Sequence, residues 1–235
     1  MKPYKLIPIQ DCGEPLVPIP LEVFAVVQPH PYEKVGAPYG DKSPFYVRQG
    51  VLERLLNAQT HLQTSHPGWK IQLFDAYRPL SVQHYMVDYT FMEVVQQRGL
   101  VVENLTEAQR QEILQLVYEF WAIPDHDPTK PPPHSTGGAV DVTLVNAAGQ
   151  DVDMGSPIDE LSPRSYPNHY ANTHESHQQE FHTYRQLLNQ VMTQAGFRRH
   201  LNEWWHFCYG DQMWAWLMHQ ERSEFPAIAH FGRVA

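Results

Sequence analysis

His134-Ser135-Thr136-Gly137-Gly138-Ala139-Val140-Asp141-Val142-Thr143-Leu144 passes from loop to strand within a few residues, and its reading decides the fold. From Ala139 onward apolar and polar residues alternate with period two. That alternation predicts a strand with Val140, Val142 and Leu144 on a core face and Asp141 on the other. The two glycines ahead of it permit a tight bend, so an imidazole on the loop can face a carboxylate on the strand.

Working outward, Trp69 to Phe74 reads as a second strand, running into Asp75-Ala76-Tyr77-Arg78-Pro79, where the proline ends it. Val51, Leu52, Leu55, Leu56 and Leu62 follow helical spacing and predict a helix that ends near His66-Pro67-Gly68. Residues 81–97 and 106–121 read as helices, the second opened by Thr106 as N-cap with Gln109 three residues on. A Pro-rich loop, 124–133, leads to His134. Beyond the central strand, 146–173 are loop-like and 174–195 helical with Gly196 as the C′ residue. Leu201 to Tyr209 is the last strand candidate. Residues 1–47 are rich in proline and lack helical periodicity, which predicts an arm lying across the core. With no repeat and no linker, the expectation is one α+β domain: a central antiparallel sheet flanked by helices, a catalytic core over 48–208 and a C-terminal extension over 209–235.

The chain has 235 residues, 42% of them hydrophobic and 18% charged, enough to bury one full core. Seventeen Lys and Arg against 26 Asp and Glu give a formal charge of −9, which repels polyanions and argues against nucleic acid or an anionic membrane as partner. A small zwitterionic or cationic ligand fits better. Cys12 and Cys208 suggest neither a disulfide framework nor a thiolate zinc site. The opening residues lack the apolar core of a signal peptide, and no run reaches the roughly 18 apolar residues of a membrane helix, so a cytoplasmic protein is expected.

Three segments carry polar residues where packing does not ask for them: Arg78, the 134–141 stretch, and Glu203-Trp204-Trp205-His206. Catalytic zinc takes three protein ligands through nitrogen or oxygen and leaves one position open. His134, Asp141 and a second His, read as His206, complete that set, with one Zn²⁺ per chain. Hydrolysis then needs a base for the attacking water and an acid for the departing amine, and one carboxylate, Glu203, can serve as both. Residues 203 and 206 face opposite ways on a regular strand. A bulge, or Glu203 lying before the strand, would resolve this.

Taken together, Asp75-Ala76-Tyr77-Arg78-Pro79, His134-x6-Asp141 with Gly137 and Ala139, Met154-Gly155-Ser156-Pro157-Ile158-Asp159 and Glu203-Trp204-Trp205-His206 resemble the D-alanyl-D-alanine dipeptidases. More distantly the set is similar to D,D-carboxypeptidases and the zinc domain of hedgehog proteins. The match runs from about Tyr32 to Cys208, and four motifs in order are more specific than any one. The resemblance implies a zinc metallopeptidase that splits the free dipeptide D-Ala-D-Ala, with zinc on His134, Asp141 and His206 and Glu203 as general base. Arg78 matches the arginine that holds the substrate carbonyl as it becomes an oxyanion, a role commonly worth about 3–4 kcal/mol. Tyr32 and Asp159 are the candidates for the substrate amine. Pro132 stands where the family usually has Ser two residues before the first zinc His, and proline offers neither hydroxyl nor N–H.

Other readings are weaker. His174-Glu175-Ser176-His177 is one residue short of the His-Glu-x-x-His zinc helix and reads, with His182, as solvated surface. Trp204 and Trp205 read as wall and core aromatics, Cys208 as a small buried hydrophobe, and Asp151-Val152-Asp153 as a solvated turn. Competing functions are a peptidoglycan D,D-carboxypeptidase, disfavoured by the lack of an export signal, and a non-catalytic zinc-bearing binding domain, which could dispense with Glu203 and Arg78. A non-haem iron oxygenase usually spaces its His and Asp one residue apart rather than six.

Overall fold

A computed structural model describes residues 2–234. Five strands form the main sheet: β2 (Ala25–Val26), β4 (Lys70–Asp75), β5 (Ala139–Val145), β7 (His206–Cys208) and β6 (Arg198–Arg199), in that spatial order. The four strands from β4 to β6 are antiparallel to their neighbours, and β2 joins one edge in parallel. A separate pair, β1 (Leu16–Pro18) with β3 (Tyr46–Arg48), is antiparallel. The first 47 residues thus contribute β1, β2, most of β3 and the one-turn helix α1 (Pro31–Lys34) to these layers.

One face of the sheet is apolar because the alternation is strict: Ile71 and Leu73 of β4, Val140, Val142 and Leu144 of β5 and Phe207 of β7 all enter one core cluster. Helices α2 (Gln49–Ser65) and α5 (Ser176–Gln194) cover that face. Val51, Leu55, Ala58 and Leu62 on the buried stripe of α2 are fully buried, each such aliphatic side chain larger than Ala contributing roughly 1.5–3 kcal/mol. Gln59 ties helix to sheet, accepting from the Ile71 amide at 2.7 Å and donating to the Trp69 carbonyl at 2.9 Å. A second core joins α3 (Leu80–Gln97) to α4 (Glu107–Phe120), and Tyr32 packs into it. Thr106 and Gln109 form the full capping box that opens α4. Gly196, at φ +100°, follows the end of α5 as the expected C′ residue. α6 (Gln212–Glu221) packs with Tyr4 against Ala139 and Cys208.

The expected strand over 201–209 is shorter than the sequence suggested. β6 and β7 form a hairpin whose loop is closed by the His200 amide donating to the His206 carbonyl at 2.9 Å, so 200–205 are loop and only 206–208 are strand. Alternation fails there because Trp204 and Trp205 are both buried, Trp204 held by its amide to Ser165. No helix among the described residues is long and apolar enough to cross a membrane.

Candidate metal centre

The polar face of the sheet is built by side chains directly opposite one another. Asp141 pairs with His206 across β5 and β7, and Asp75 pairs with Asp141 across β4 and β5. Asp75 reaches this face through a bulge. Leu73 pairs with Val142 but Asp75 pairs with Asp141, so the extra residue, Phe74, reverses the facing of the chain beyond it. Without it, Asp75 would share the core face of Ile71 and Leu73.

His134 arrives from the one-turn 3-10 helix Pro133–Thr136 that precedes β5. Gly137 leaves that turn at φ +72°, and a Cβ there would stand 2.5 Å from Leu16; one on Gly138 would meet the Tyr209 carbonyl at 2.7 Å. Both positions therefore require glycine. The turn is locked to the Arg78 segment, since Ser135 Oγ donates to the Arg78 carbonyl at 2.8 Å and the Arg78 amide to the His134 carbonyl at 3.3 Å.

His134 Nδ1–H donates to the Ala76 carbonyl at 2.7 Å, which fixes the tautomer and leaves Nε2 with its lone pair. That Nε2 faces His206 Nδ1 at 3.1 Å and Asp141 Oδ2 at 3.2 Å, and His206 Nδ1 lies 3.0 Å from Asp141 Oδ1. All three residues are buried. Three groups converging their donor electron pairs in a dry pocket is unfavourable unless a cation sits among them, and two imidazole nitrogens with a carboxylate are the donor set zinc takes. The residues fit the metal. Burial raises the Asp141 carboxyl, but the adjacent His134 and His206 outweigh it and hold Asp141 well below the usual carboxylate range. His206 Nε2 is buried with no hydrogen-bond partner.

Glu203 sits at the tip of the β6–β7 loop, before the strand, which removes the conflict in facing. Its Oε2 is 3.8 Å from His206 Nδ1 and its Oε1 is 3.4 Å from His200 Nδ1. Burial, reinforced by the nearby charge of Asp141, pushes its carboxyl well above the usual range. Arg78 is held rigidly: Nε donates to Asp75 at 2.9 Å, Nη1 to Gln83 at 3.0 Å, and Nη2 to the Tyr32 hydroxyl at 3.1 Å and Asp141 at 3.3 Å. Its guanidinium also lies over the rings of Tyr32 and Trp121. Tyr32 in turn donates to Asp159 Oδ2 at 2.7 Å. Asp159 is in the left-handed region, φ +66°, rare for a residue other than glycine, and burial together with Asp141 pushes its carboxyl up to about 7. All seven residues singled out in the sequence therefore gather around one cavity or its wall.

Four further contributors are not singled out by the sequence. Asp75, fully buried, accepts from Arg78, from the Tyr39 hydroxyl at 3.0 Å and from His30 Nε2 at 3.2 Å, and so steadies the whole corner. Burial alone would raise its carboxyl, yet Arg78 and His30 bring it below the ordinary value. His200 precedes Glu203 by three residues, a spacing that could have drawn attention. Gln83 and Lys2 carry no sequence signal, since they reach the cavity only through the tertiary fold. The decoys lie elsewhere: His174 is exposed before α5 and His177 exposed in its first turn, Asp153 Oδ1 caps the Gly155 amide in a solvated turn, and Cys208 is a buried free thiol. His182 differs from the expected solvated surface in being half-buried, its Nδ1 without a hydrogen-bond partner.

Known proteins are similar to this chain in sequence. A protein from Synechocystis sp. described as D-alanyl-D-alanine dipeptidase is 51% identical over 240 residues, covering 100% of this chain and 97% of that one. Dipeptidases of the same description from Escherichia coli and Enterococcus faecium are 39% and 35% identical over 74 and 80 residues, about a third of each chain. The family model described as D-ala-D-ala dipeptidase matches residues 25–228, a span that holds every residue of the metal centre, and the chain belongs to that family.

Proposed function

We propose that this chain is a zinc-dependent dipeptidase that hydrolyses free D-Ala-D-Ala to two molecules of D-Ala. His134, Asp141 and His206 would hold the metal, whose contribution when bound is Lewis acidity toward a water and the scissile carbonyl. Glu203 takes the proton of the attacking water and passes it to the leaving amine. Its raised affinity for protons suits both halves of that task. Arg78 is positioned by Asp75, Gln83 and Tyr32 to meet the negative charge that develops on the substrate carbonyl oxygen, and its fixed geometry means little reorganisation at that moment. Asp159, bridged to Arg78 by Tyr32, receives the free ammonium of the substrate.

The observation that carries this reading is the convergence of three buried side chains able to hold a metal ion, with the buried Glu203 carboxylate 3.8 Å from one of them. A panel of D,D- and L,L-dipeptides, each free and N-acylated, tests it in the presence of Zn²⁺. The expected result is D-Ala release from free D-Ala-D-Ala and no turnover of N-acylated peptides. Efficient cleavage of the acylated D,D-peptides would instead make the enzyme a carboxypeptidase.

A further inference from the structure

A zwitterionic dipeptide carries a carboxylate as well as an ammonium, and the cavity around Glu203 is lined by groups of both signs, Asp159 and Lys2 among them. Asp159 accepts from Tyr32, which in turn accepts from Arg78, and Lys2 lines the same cavity as Glu203 and His200. The other cationic or basic side chains lining the cavity have partners or tasks of their own, Arg78 toward the substrate carbonyl oxygen. Arg78 is bound to Asp75, Gln83 and Tyr32, His134 and His206 belong to the metal set, and His200 Nδ1 accepts the Asn202 amide.

Lys2 is brought to this place by a docked segment. Residues Pro3–Leu6 form one 3-10 turn, Tyr4 is buried against α6, and Gln212 donates to the Ile7 carbonyl at 2.7 Å. Lys5 Nζ donates to the carbonyls of Lys130 at 2.9 Å and Pro131 at 2.6 Å. Those two residues run into Pro132 and His134, so the segment is fixed to the loop that delivers a metal ligand. Lys2 and Tyr4 also line an outer groove beside α4, which makes them part of the partition between the inner cavity and that groove. We propose that Lys2 is a specificity-determining residue that binds the free C-terminal carboxylate of the dipeptide, in the same cavity as Asp159 and Glu203. It supplies, from another part of the chain, a donor that Pro132 cannot offer. Burial disfavours the charged ammonium while Glu203 and Glu119 support it, as expected of a cation half-withdrawn from water that gains from an anionic ligand.

The proposal rests on the dipeptidase reading and is tested by kcat/KM for D-Ala-D-Ala and for its C-terminal carboxamide in wild type, Lys2→Met and Lys2→Arg, with thermal unfolding to verify folding. Loss of one charge-assisted contact corresponds to about a 10- to 100-fold effect. The expected result is that Lys2→Met lowers the acid-over-amide preference by that factor, mainly through KM for the acid, and that Lys2→Arg restores most of it. An unchanged preference in folded Lys2→Met, with active wild type, overturns the role of Lys2 alone. A folded, zinc-loaded wild type that cleaves neither compound overturns the dipeptidase reading and this inference with it.

Discussion

Asp159 shows how much a single residue's surroundings decide. Its carboxyl would ordinarily titrate near 3.8, and burial beside Asp141 raises it to about 7. A carboxylate captures an ammonium only when ionised. Below about pH 7 the free enzyme therefore holds Asp159 protonated, and affinity for the dipeptide rises as pH increases through that value. The inhibition constant of a non-hydrolysable free dipeptide analogue, followed from about pH 5 to about 7.5, below the range in which the analogue's own α-ammonium loses its proton, should fall in wild type. It should be weak and flat in Asp159→Asn; a variant that keeps the wild-type profile would remove Asp159 from the amine site. Tyr32 makes a related point. The sequence leaves open whether it packs the arm or touches substrate, and the structure gives it a core contact with Trp121 and a hydroxyl that links Arg78 to Asp159.

At the scale of elements, the centre is legible wherever local pattern is strict and obscure wherever one residue changes the facing of the chain. The alternation of β5 exposes its two faces in the sequence, and the glycines before it announce the turn that carries His134. The bulge at Phe74 leaves only a faint signature, the adjacent apolar pair Leu73-Phe74 that breaks the alternation of Lys70 to Leu73. In the sequence, therefore, Asp75 reads only as part of a motif and not as the acceptor around which Arg78, His30 and Tyr39 are arranged. The hairpin loop of 200–205 is obscured by two consecutive tryptophans that resemble strand residues. Asp75→Asn leaves Arg78 buried without its main counter-charge, and breaking a buried pair in this way costs about 3–5 kcal/mol. Urea unfolding should show a lower midpoint at unchanged slope, together with reduced kcat; a variant of wild-type stability would mean that Asp75 is not the anchor of this corner.

For the whole molecule, the proposed metal set draws on the loop before β5, on β5 itself and on β7, and Glu203 comes from the loop between β6 and β7, so zinc held there would favour the folded arrangement over any other. Free zinc at about 100 times its Kd adds roughly 2.7 kcal/mol to the stability of a protein that binds it only when folded. Chelation should therefore lower Tm reversibly in wild type, and His134→Ala should show no zinc-dependent shift. An identical response in the two proteins would move the metal elsewhere. The acidic balance of the chain accords with the proposed zwitterionic substrate, whose two charges would be met by local groups and not by a broad basic field. The central claim, that Glu203 performs the proton transfers beside a metal it does not bind, is tested most directly by zinc content and D-Ala release in wild type and Glu203→Gln side by side. The account predicts one zinc per chain in both proteins and a loss of kcat of about 10²–10⁴ in the variant. Turnover of D-Ala-D-Ala by zinc-loaded Glu203→Gln at the wild-type rate would contradict it.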